Sequence, residues 1–209
     1  MLLNHTQAFA DFQPAKSTLL ARAVPMPKRT EISAFTAGTM LETEAGWTPA
    51  NAIKPGDKVY TLDGGFAEVT DVITRQIASG TVQHWHVPAT ALNNCSDLLL
   101  TAGQHIAMIE PEVETLFQTH CVLVPVAAMA GFRGIRPVTG YSGAQATELR
   151  FDSEEIVYAQ TGTLLHVSAG ETEPFFRTLN YGETRALLSL MNRGHCAPDP
   201  RGFAPSLAA

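Results

Sequence analysis

The chain has 209 residues, of which 45% are hydrophobic and 16% are charged, and its formal net charge is −6. This composition fits one folded domain with flanking segments and excludes an intrinsically disordered chain. The 14 Lys and Arg residues are scattered. We therefore expect no nucleic-acid partner, because neutralising phosphates requires clustered basic side chains. No apolar run approaches the ~20 residues of a membrane span, so we expect none.

The first 31 residues show no sustained apolar periodicity, and three prolines interrupt them: Pro14, Pro25 and Pro27. We interpret residues 1–31 as an N-terminal arm. The opening Met1–His5 has neither the basic residues nor the apolar run of a signal peptide. We therefore expect no signal peptide, which leaves a cytoplasmic location or leaderless export open.

Residues 32–170 predict one mainly β domain of many short strands. Val59–Leu62 and Phe66–Ile73 are separated by Asp63–Gly64–Gly65, and an Asp-Gly pair between strand-like runs predicts a hairpin. Further short apolar runs are separated by turn residues, which is typical of an all-β fold: Val82–Val87, Leu98–Thr101, Ile106–Ile109, Cys121–Val124, Glu148–Phe151, Ile156–Ala159 and Leu164–Val167. Two helical turns are expected within this domain, at Thr48–Ile53 and Val126–Ala130.

Residues 171–194 predict a C-terminal extension that contains a helix. Within Glu183–Gly194, the apolar residues 187, 190 and 191 lie on one helical face. Arg193 suits the last turn, and Gly194 suits the position just after a helix. Residues 195–209 contain three more prolines and are interpreted as a loose tail.

The stretch Ala34–Leu41, with the sequence AFTAGTML, precedes Gly46–Pro49 and Ile53–Val59. Together these segments resemble the opening of a Hint domain, the module shared by Hedgehog autoprocessing domains and inteins. Leu98–Met108 is similar to the second motif of that family, in which a Thr or Ser and a His lie beside a nucleophile.

Two later segments, Val122–Gly131 and Glu148–Gln160, are similar to segments of bacterial Hint proteins. The resemblance covers roughly Ile32 to Gly170, and the order and spacing of its motifs make it specific. It implies a compact, horseshoe-like β fold with the C-terminal helix outside it.

The resemblance also implies where the chemistry would begin. The family opens with a nucleophile, most often Cys, just before the aromatic residue of the first motif, and this chain has Ala34 there. The acyl shift of the family needs a thiol or hydroxyl at that position. Ser33 carries a hydroxyl one residue earlier, but neighbouring side chains of a strand point to opposite faces, so Ser33 should face away from the pocket.

The family's histidine, at His105 here, contacts the scissile amide and helps to protonate its nitrogen. The usual spacing is Thr-x-x-His, whereas Thr101 and His105 are one residue further apart. Either the loop carries an extra residue and His105 faces the catalytic pocket that the resemblance implies beside residue 34, or Thr101 and His105 are ordinary strand residues. Inteins end in a His-Asn pair, and neither Asn180 nor Asn192 follows a histidine. Splicing is thus excluded more firmly than simple cleavage.

We expect no metal and no cofactor. His84–Trp85–His86 would place two imidazoles on one face of a strand, with His120–Cys121 and Cys95 as further ligands, but these spacings match no closed zinc site. The three cysteines show no Cys-x-x-Cys spacing and are expected to be free thiols. We interpret the adjacent acids Glu154 and Glu155 as a solvated turn.

Two functions are therefore open. The first is a degenerate Hint-domain protein that cannot splice and is retained as a folding or interaction module, with a protein as its partner and no enzymatic activity. The alternative is an active autoprocessing domain that uses Ser33 for an N–O acyl shift and releases the N-terminal arm by self-cleavage. A third, unrelated reading is a β-rich binding protein.

Overall fold

The computed structural model describes residues 33–63, 65–77, 83–138, 145–169 and 174–195. Within these ranges the chain is mainly β, which confirms the predicted fold class. The strands, in chain order, are β1 (Phe35–Thr36), β2 (Met40–Thr43), β3 (Gly46–Pro49), β4 (Lys58–Thr61), β5 (Gly65–Glu68), β6 (Asp71–Gln76), β7 (His84–Val87), β8 (Leu98–Thr101), β9 (His105–Met108), β10 (Val122–Pro125), β11 (Arg136–Val138), β12 (Gln145–Arg150), β13 (Glu155–Ala159), β14 (Thr163–Val167) and β15 (Arg177–Thr178).

The helical elements are fewer and shorter. They are the α-helices α1 (Pro111–Phe117) and α2 (Tyr181–His195), and three 3-10 turns at Ala50–Ala52, Val126–Met129 and Phe132–Gly134. No helix in the described ranges combines the length and the apolar character that crossing a bilayer requires.

The strands form two open sheets. The first has the order β11-β7-β8-β1-β12-β6, and the second has the order β15-β10-β9-β14-β13-β2-β4-β5, with β3 paired to β2. The chain passes from the first sheet to the second between β8 and β9, through a turn in which the Gln104 N–H donates to the Thr101 carbonyl at 3.0 Å. Two predicted site residues flank this turn. Thr101 ends β8 in the first sheet, and His105 begins β9 in the second.

One main core lies between the sheets, and strand alternation explains its composition. Phe35 pairs with Leu100, which pairs in turn with Trp85, and all three side chains are buried in that core. Successive side chains of a strand point to opposite faces of the sheet. The residues immediately before and after each of these three therefore lie on the other face of the first sheet. The position of Ala34 follows from this alternation.

The prediction that Phe66–Ile73 forms a single strand is wrong. It divides into β5, which pairs with β4, and β6, which pairs with β12 of the other sheet. The break falls at Val69, whose N–H donates to the Asp57 carbonyl, and at Thr70, whose N–H donates to the Arg150 carbonyl. Neither β5 nor β6 contains a buried side chain. The break depends on which strand each half joins, so the apolar pattern alone does not show it.

The predicted helical turn at Thr48–Ile53 is too long, since Thr48 and Pro49 belong to β3 and only Ala50–Ala52 is helical. Helix α1 was not predicted. Pro111 occupies its first turn together with Glu112 and Glu114, which is the usual composition of a helix start. Seven residues are too few for a helical apolar period, so only this start signal could have revealed the helix.

Helix α2 covers the predicted helix and begins two residues earlier. Asn180 and Glu183 form a reciprocal cap, in which the Asn180 side chain accepts from the Glu183 N–H at 3.0 Å and the Glu183 carboxylate accepts from the Asn180 N–H at 2.9 Å. The helix continues through Gly194 to His195, so Gly194 lies within the helix and not just after it. Its buried face consists of Thr184, Leu187, Leu188 and Met191, whereas Leu190 is only partly buried. Leu187, Leu188 and Met191 join the main core, so the C-terminal extension packs directly on the β domain.

Candidate functional site

Ala34 is held in place by a single hydroxyl group from the neighbouring strand. Its N–H donates to Thr101 Oγ1 at 3.2 Å, and Thr101 Oγ1 donates to the Ala34 carbonyl at 3.0 Å. Thr101 is 0% exposed and Ala34 is 1% exposed. The structure therefore brings together two of the four predicted site residues, because the Thr101 hydroxyl bonds to both the N–H and the carbonyl of Ala34.

The side chain of Ala34 faces away from the main core and packs with Ile77 and Ala146. A further residue on this side of the sheet is His84, which lies directly across from Thr101 in the register of β7 and β8 and is 1% exposed. Ala34, Thr101 and His84 thus form one row across three adjacent strands. The alternation of His84 with the core residue Trp85 was the sequence signal for this placement.

Ser33 is exposed, in contrast to its buried neighbour Ala34. The two side chains therefore lie in different environments, although they are adjacent in the chain.

His105 begins β9, in the second sheet, and its imidazole lies near that of His166 on β14. The two imidazole rings are 6.0 Å apart between centroids and nearly perpendicular, at 86°. Between Thr101 and His105, the position that a Thr-x-x-His spacing would give to histidine is Gln104. Its buried amide donates to the His166 carbonyl at 2.7 Å. Sequence reasoning did not predict a role for either Gln104 or His166.

Glu154 lies beside His166, and the prediction that Glu154 belongs to a solvated turn is wrong. The Glu154 carboxylate is only 10% exposed and contacts His166 Nε2 at 2.5 Å. Its other oxygen accepts the backbone N–H groups of Phe175 and Phe176, at 2.5 and 3.2 Å. Glu154 is buried because the segment after residue 173 supplies these donors from 21 and 22 residues away. Glu155 is the first residue of β13, where it pairs with Val167 and its carboxylate accepts from the Ser153 hydroxyl at 2.7 Å.

Burial lowers the pKa of His166 below the ordinary histidine value, although the Glu154 carboxylate opposes that shift. The neutral imidazole is therefore favoured, with its Nε2 against the Glu154 carboxylate. Such a carboxylate–imidazole pair fixes the tautomer and orientation of the ring, as general acid–base sites require.

The thiol of Cys121 lies in a second, smaller apolar cluster with Leu123, Ile156 and Phe176, on the face of the second sheet opposite the main core. Burial raises the pKa of Cys121 to about 11, and the carboxylates of Asp63 and Glu154 add to the shift. A thiol with so high a pKa is a poor nucleophile at neutral pH.

The histidines and cysteines that were weighed as metal ligands lie in separate places. His86 contacts the exposed Asp97 at 2.8 Å, whereas His84 is buried beside Thr101 and Cys121 lies in the second sheet. Among the residues that the structure describes, no three His, Cys, Asp or Glu side chains converge as a metal-binding group.

Comparisons with known proteins match this fold and this segment. A family model described as "Hint domain" matches residues 33–164. A bacterial intein-like domain from Clostridium thermocellum is similar at 17% identity over 65% of this chain and 99% of that one, with a TM-score of 0.45. The MchDnaB-1 intein is similar at 17% identity over 65% of this chain and 100% of that one, with a TM-score of 0.42. The gp41-1 intein is similar at 10% identity over 66% and 99%, with a TM-score of 0.41. No curated protein matches the chain.

Proposed function

Because this chain belongs to the Hint domain family, we propose that it is a degenerate member, unable to splice or to cleave itself, and retained as a folding or interaction module. The observation that carries the proposal is the buried methyl group of Ala34. It occupies the position at which the family resemblance implies a nucleophile, and an acyl shift requires a thiol or hydroxyl there.

The hydrogen bonds around Ala34 support the same proposal. An acyl shift needs a proton donor at the nitrogen of the scissile bond, which is the Ala34 nitrogen. The Thr101 hydroxyl accepts from that N–H and directs its own proton to the Ala34 carbonyl. Its role is therefore to fix the backbone of the strand entrance, which is a structural role.

A second group supports the loss of splicing. The resemblance implies a His-Asn pair whose asparagine would cyclise, and His166 is the histidine that lies beside His105. The residue after it is Val167, which has no amide group to cyclise. Ala34 at the position of the nucleophile and Val167 after His166 each lack a group that splicing requires, so the two positions are consistent with each other.

The alternative, cleavage through Ser33, requires the Ser33 hydroxyl to reach the peptide bond before it. Ser33 is exposed, so its hydroxyl is open to water. An unactivated hydroxyl is a weak nucleophile.

The intact mass of the purified chain tests the proposal. The chain is expected to keep its full mass on incubation with dithiothreitol or hydroxylamine, because uncatalysed peptide hydrolysis is negligible on a laboratory timescale. Ser33→Ala is the matched variant and should behave identically. Thiol- or hydroxylamine-dependent release of a fragment that begins at Ser33 would overturn the proposal, and its loss in Ser33→Ala would assign the nucleophile.

Ala34→Cys asks how much of the site has been lost. A thiol at this position would attack the Ser33 carbonyl, but the Thr101 hydroxyl accepts from the leaving nitrogen and does not donate to it. General acid catalysis is worth about 100- to 10,000-fold, so we expect thiol-dependent release of the N-terminal segment to be slow. Rapid release that disappears in the double variant with His105→Ala would show that His105 serves this nitrogen and that one substitution silenced the site.

A further inference from the structure

A two-part cleft opens on the side of the domain where β9 ends and α1 begins. Its inner part is a cavity of about 130 Å³ with mostly apolar side chains, among them Leu92, Met108 and Leu164. Its outer part is an open cleft of about 610 Å³. The two parts share Asn93, Glu110 and Arg133, and neither is lined by Ala34, Thr101, His105 or His166.

The wall formed by residues 88–97 is fixed by side chains. The buried Asn94 amide donates to the carbonyls of Pro88 and Ser96 at 2.9 and 2.8 Å, and its oxygen accepts the Leu92 N–H at 3.0 Å. From outside the loop, Arg133 donates to the Ala91 carbonyl at 3.1 Å, and Thr163 donates to the Leu92 carbonyl at 3.0 Å. The cleft is therefore formed in advance of any ligand, as most small-molecule sites are.

Backbone strain is concentrated around this cleft. Six residues other than glycine have a left-handed backbone in the described ranges, and five of them lie in its walls or in the adjoining hairpin turn: Thr90, Asn93, Arg133, Gln160 and Thr161. Each such residue costs roughly 1–3 kcal/mol, and the cost persists only where the surroundings enforce it. Strain of this kind clusters at ligand sites more than in ordinary surface loops.

Gly162 allows the two walls to meet. A Cβ atom at Gly162 would lie 2.7 Å from the Asn93 carbonyl oxygen and 3.0 Å from the Asn93 Cβ. The hairpin turn after β13 and the loop that contains Asn93 are thus packed backbone to backbone, and this contact closes the inner end of the cleft.

Two opposite charges flank the cleft without neutralising each other. Arg133 uses one N–H group for the Ala91 carbonyl, and Glu110 makes no side-chain cap to α1. In the part of the chain that the structure describes, neither residue takes part in an ion pair. A guanidinium and a carboxylate beside one cavity are complementary to a ligand that carries both signs of charge.

We propose that this cleft binds a small zwitterion with a compact apolar body, the chemistry of an apolar α-amino acid. The ligand's carboxylate contacts Arg133, its ammonium group contacts Glu110, and its side chain enters the inner cavity between Leu92 and Leu164. An apolar cavity of about 150 Å³ is known to hold a benzene-sized group, so the inner part suits a side chain as large as that of leucine. The proposal does not depend on the state of the Ala34 site.

The test is a titration of the full chain with L-leucine, followed by the amide chemical shifts of the ¹⁵N-labelled protein. We expect saturable shifts at the amides of Leu92, Asn93, Glu110 and Gly162, and weaker binding of N-acetyl-L-leucine and L-leucinamide, each of which lacks one charge. Glycine, which lacks the apolar body, is expected to bind least. If L-leucine, L-methionine and L-phenylalanine all leave these amides unmoved at about 10 mM, well above a millimolar dissociation constant, the proposal is wrong.

Charge-removing variants assign the two contacts. Arg133→Gln and Glu110→Gln are each expected to weaken L-leucine binding by about tenfold or more, since each removes a charge-assisted hydrogen bond. Arg150→Gln and Glu68→Gln remove exposed charges that do not line the cleft and should leave the affinity unchanged. Should all four variants bind equally well, the shifts would report non-specific association and the proposal would fail. A loss in Arg133→Gln counts only if its other amide shifts show that the loop is still folded, and Arg133→Lys, which keeps the charge, must then recover part of the affinity.

Discussion

Replacing Thr101 by Val is the most direct test of the reading that this residue fixes the strand entrance. Valine has the same shape but no hydroxyl, so the Ala34 N–H and the Ala34 carbonyl both lose a buried partner. Each unsatisfied buried group costs about 1–3 kcal/mol, and the added methyl group regains about 0.8 kcal/mol. We therefore expect the free energy of unfolding to fall by about 1–5 kcal/mol, compared with the 5–15 kcal/mol of a typical domain.

Urea unfolding measures the change, and Thr101→Ser is the matched control. Serine keeps the hydroxyl and loses one buried methyl group, which costs about 1 kcal/mol. The midpoint should therefore fall further for valine than for serine, with similar slopes against urea. In native-state hydrogen exchange, the Ala34 amide should lose protection in the valine variant only. If valine proves as stable as the wild type or more stable than serine, the two hydrogen bonds do not hold the strand entrance.

Three further outcomes are expected. Because burial holds the pKa of His166 below its ordinary value, the unfolded chain binds more protons than the folded chain below about pH 6.5, and stability should fall with acidification. His166→Gln should make that fall shallower, as followed by urea unfolding between pH 7.5 and 5. Gly162→Ala should lower the free energy of unfolding by about 1–3 kcal/mol, since its methyl group would overlap the Asn93 carbonyl. Gly182→Ala should be neutral or stabilising, since a Cβ there would meet only Asn180 Oδ1, at the ordinary contact distance of 3.4 Å. The thiol of Cys121, with a pKa of about 11, should resist iodoacetamide at pH 8, at which only about one such thiol in a thousand is ionised.

The controls for these three are specific. An unchanged pH slope in His166→Gln would show that other groups cause the acid sensitivity. Equal stability of the two glycine variants would contradict the close contact at Gly162. Peptide mapping by mass spectrometry should find alkylation at the exposed Cys95 but not at Cys121, and alkylation of Cys121 in the folded protein would contradict its burial.

The sequence predicts well what is decided within a few residues. Strand β8 matches its predicted bounds, and β7, β9, β10, β13 and β14 lie within one or two residues of theirs, because each is a short apolar run between turn residues. Local patterns of this kind predict neither helix α1 nor the break between β5 and β6. The helix is shorter than the period that would reveal it, and the break depends on which distant strand each half joins.

By itself, the sequence determined the family and the mainly β fold, through the order and spacing of several short motifs, and it places Ala34 where the family resemblance implies a nucleophile. Only the tertiary structure decided how the site residues group. Thr101 reaches Ala34 across 67 residues, and Glu154 is buried by backbone donors more than 20 residues further along the chain. A local pattern specifies which face of a strand a residue occupies, but the partner on that face comes from whichever strand packs beside it. For that reason Glu154 resembles a solvated turn in the sequence, although in the folded chain it lies buried against His166.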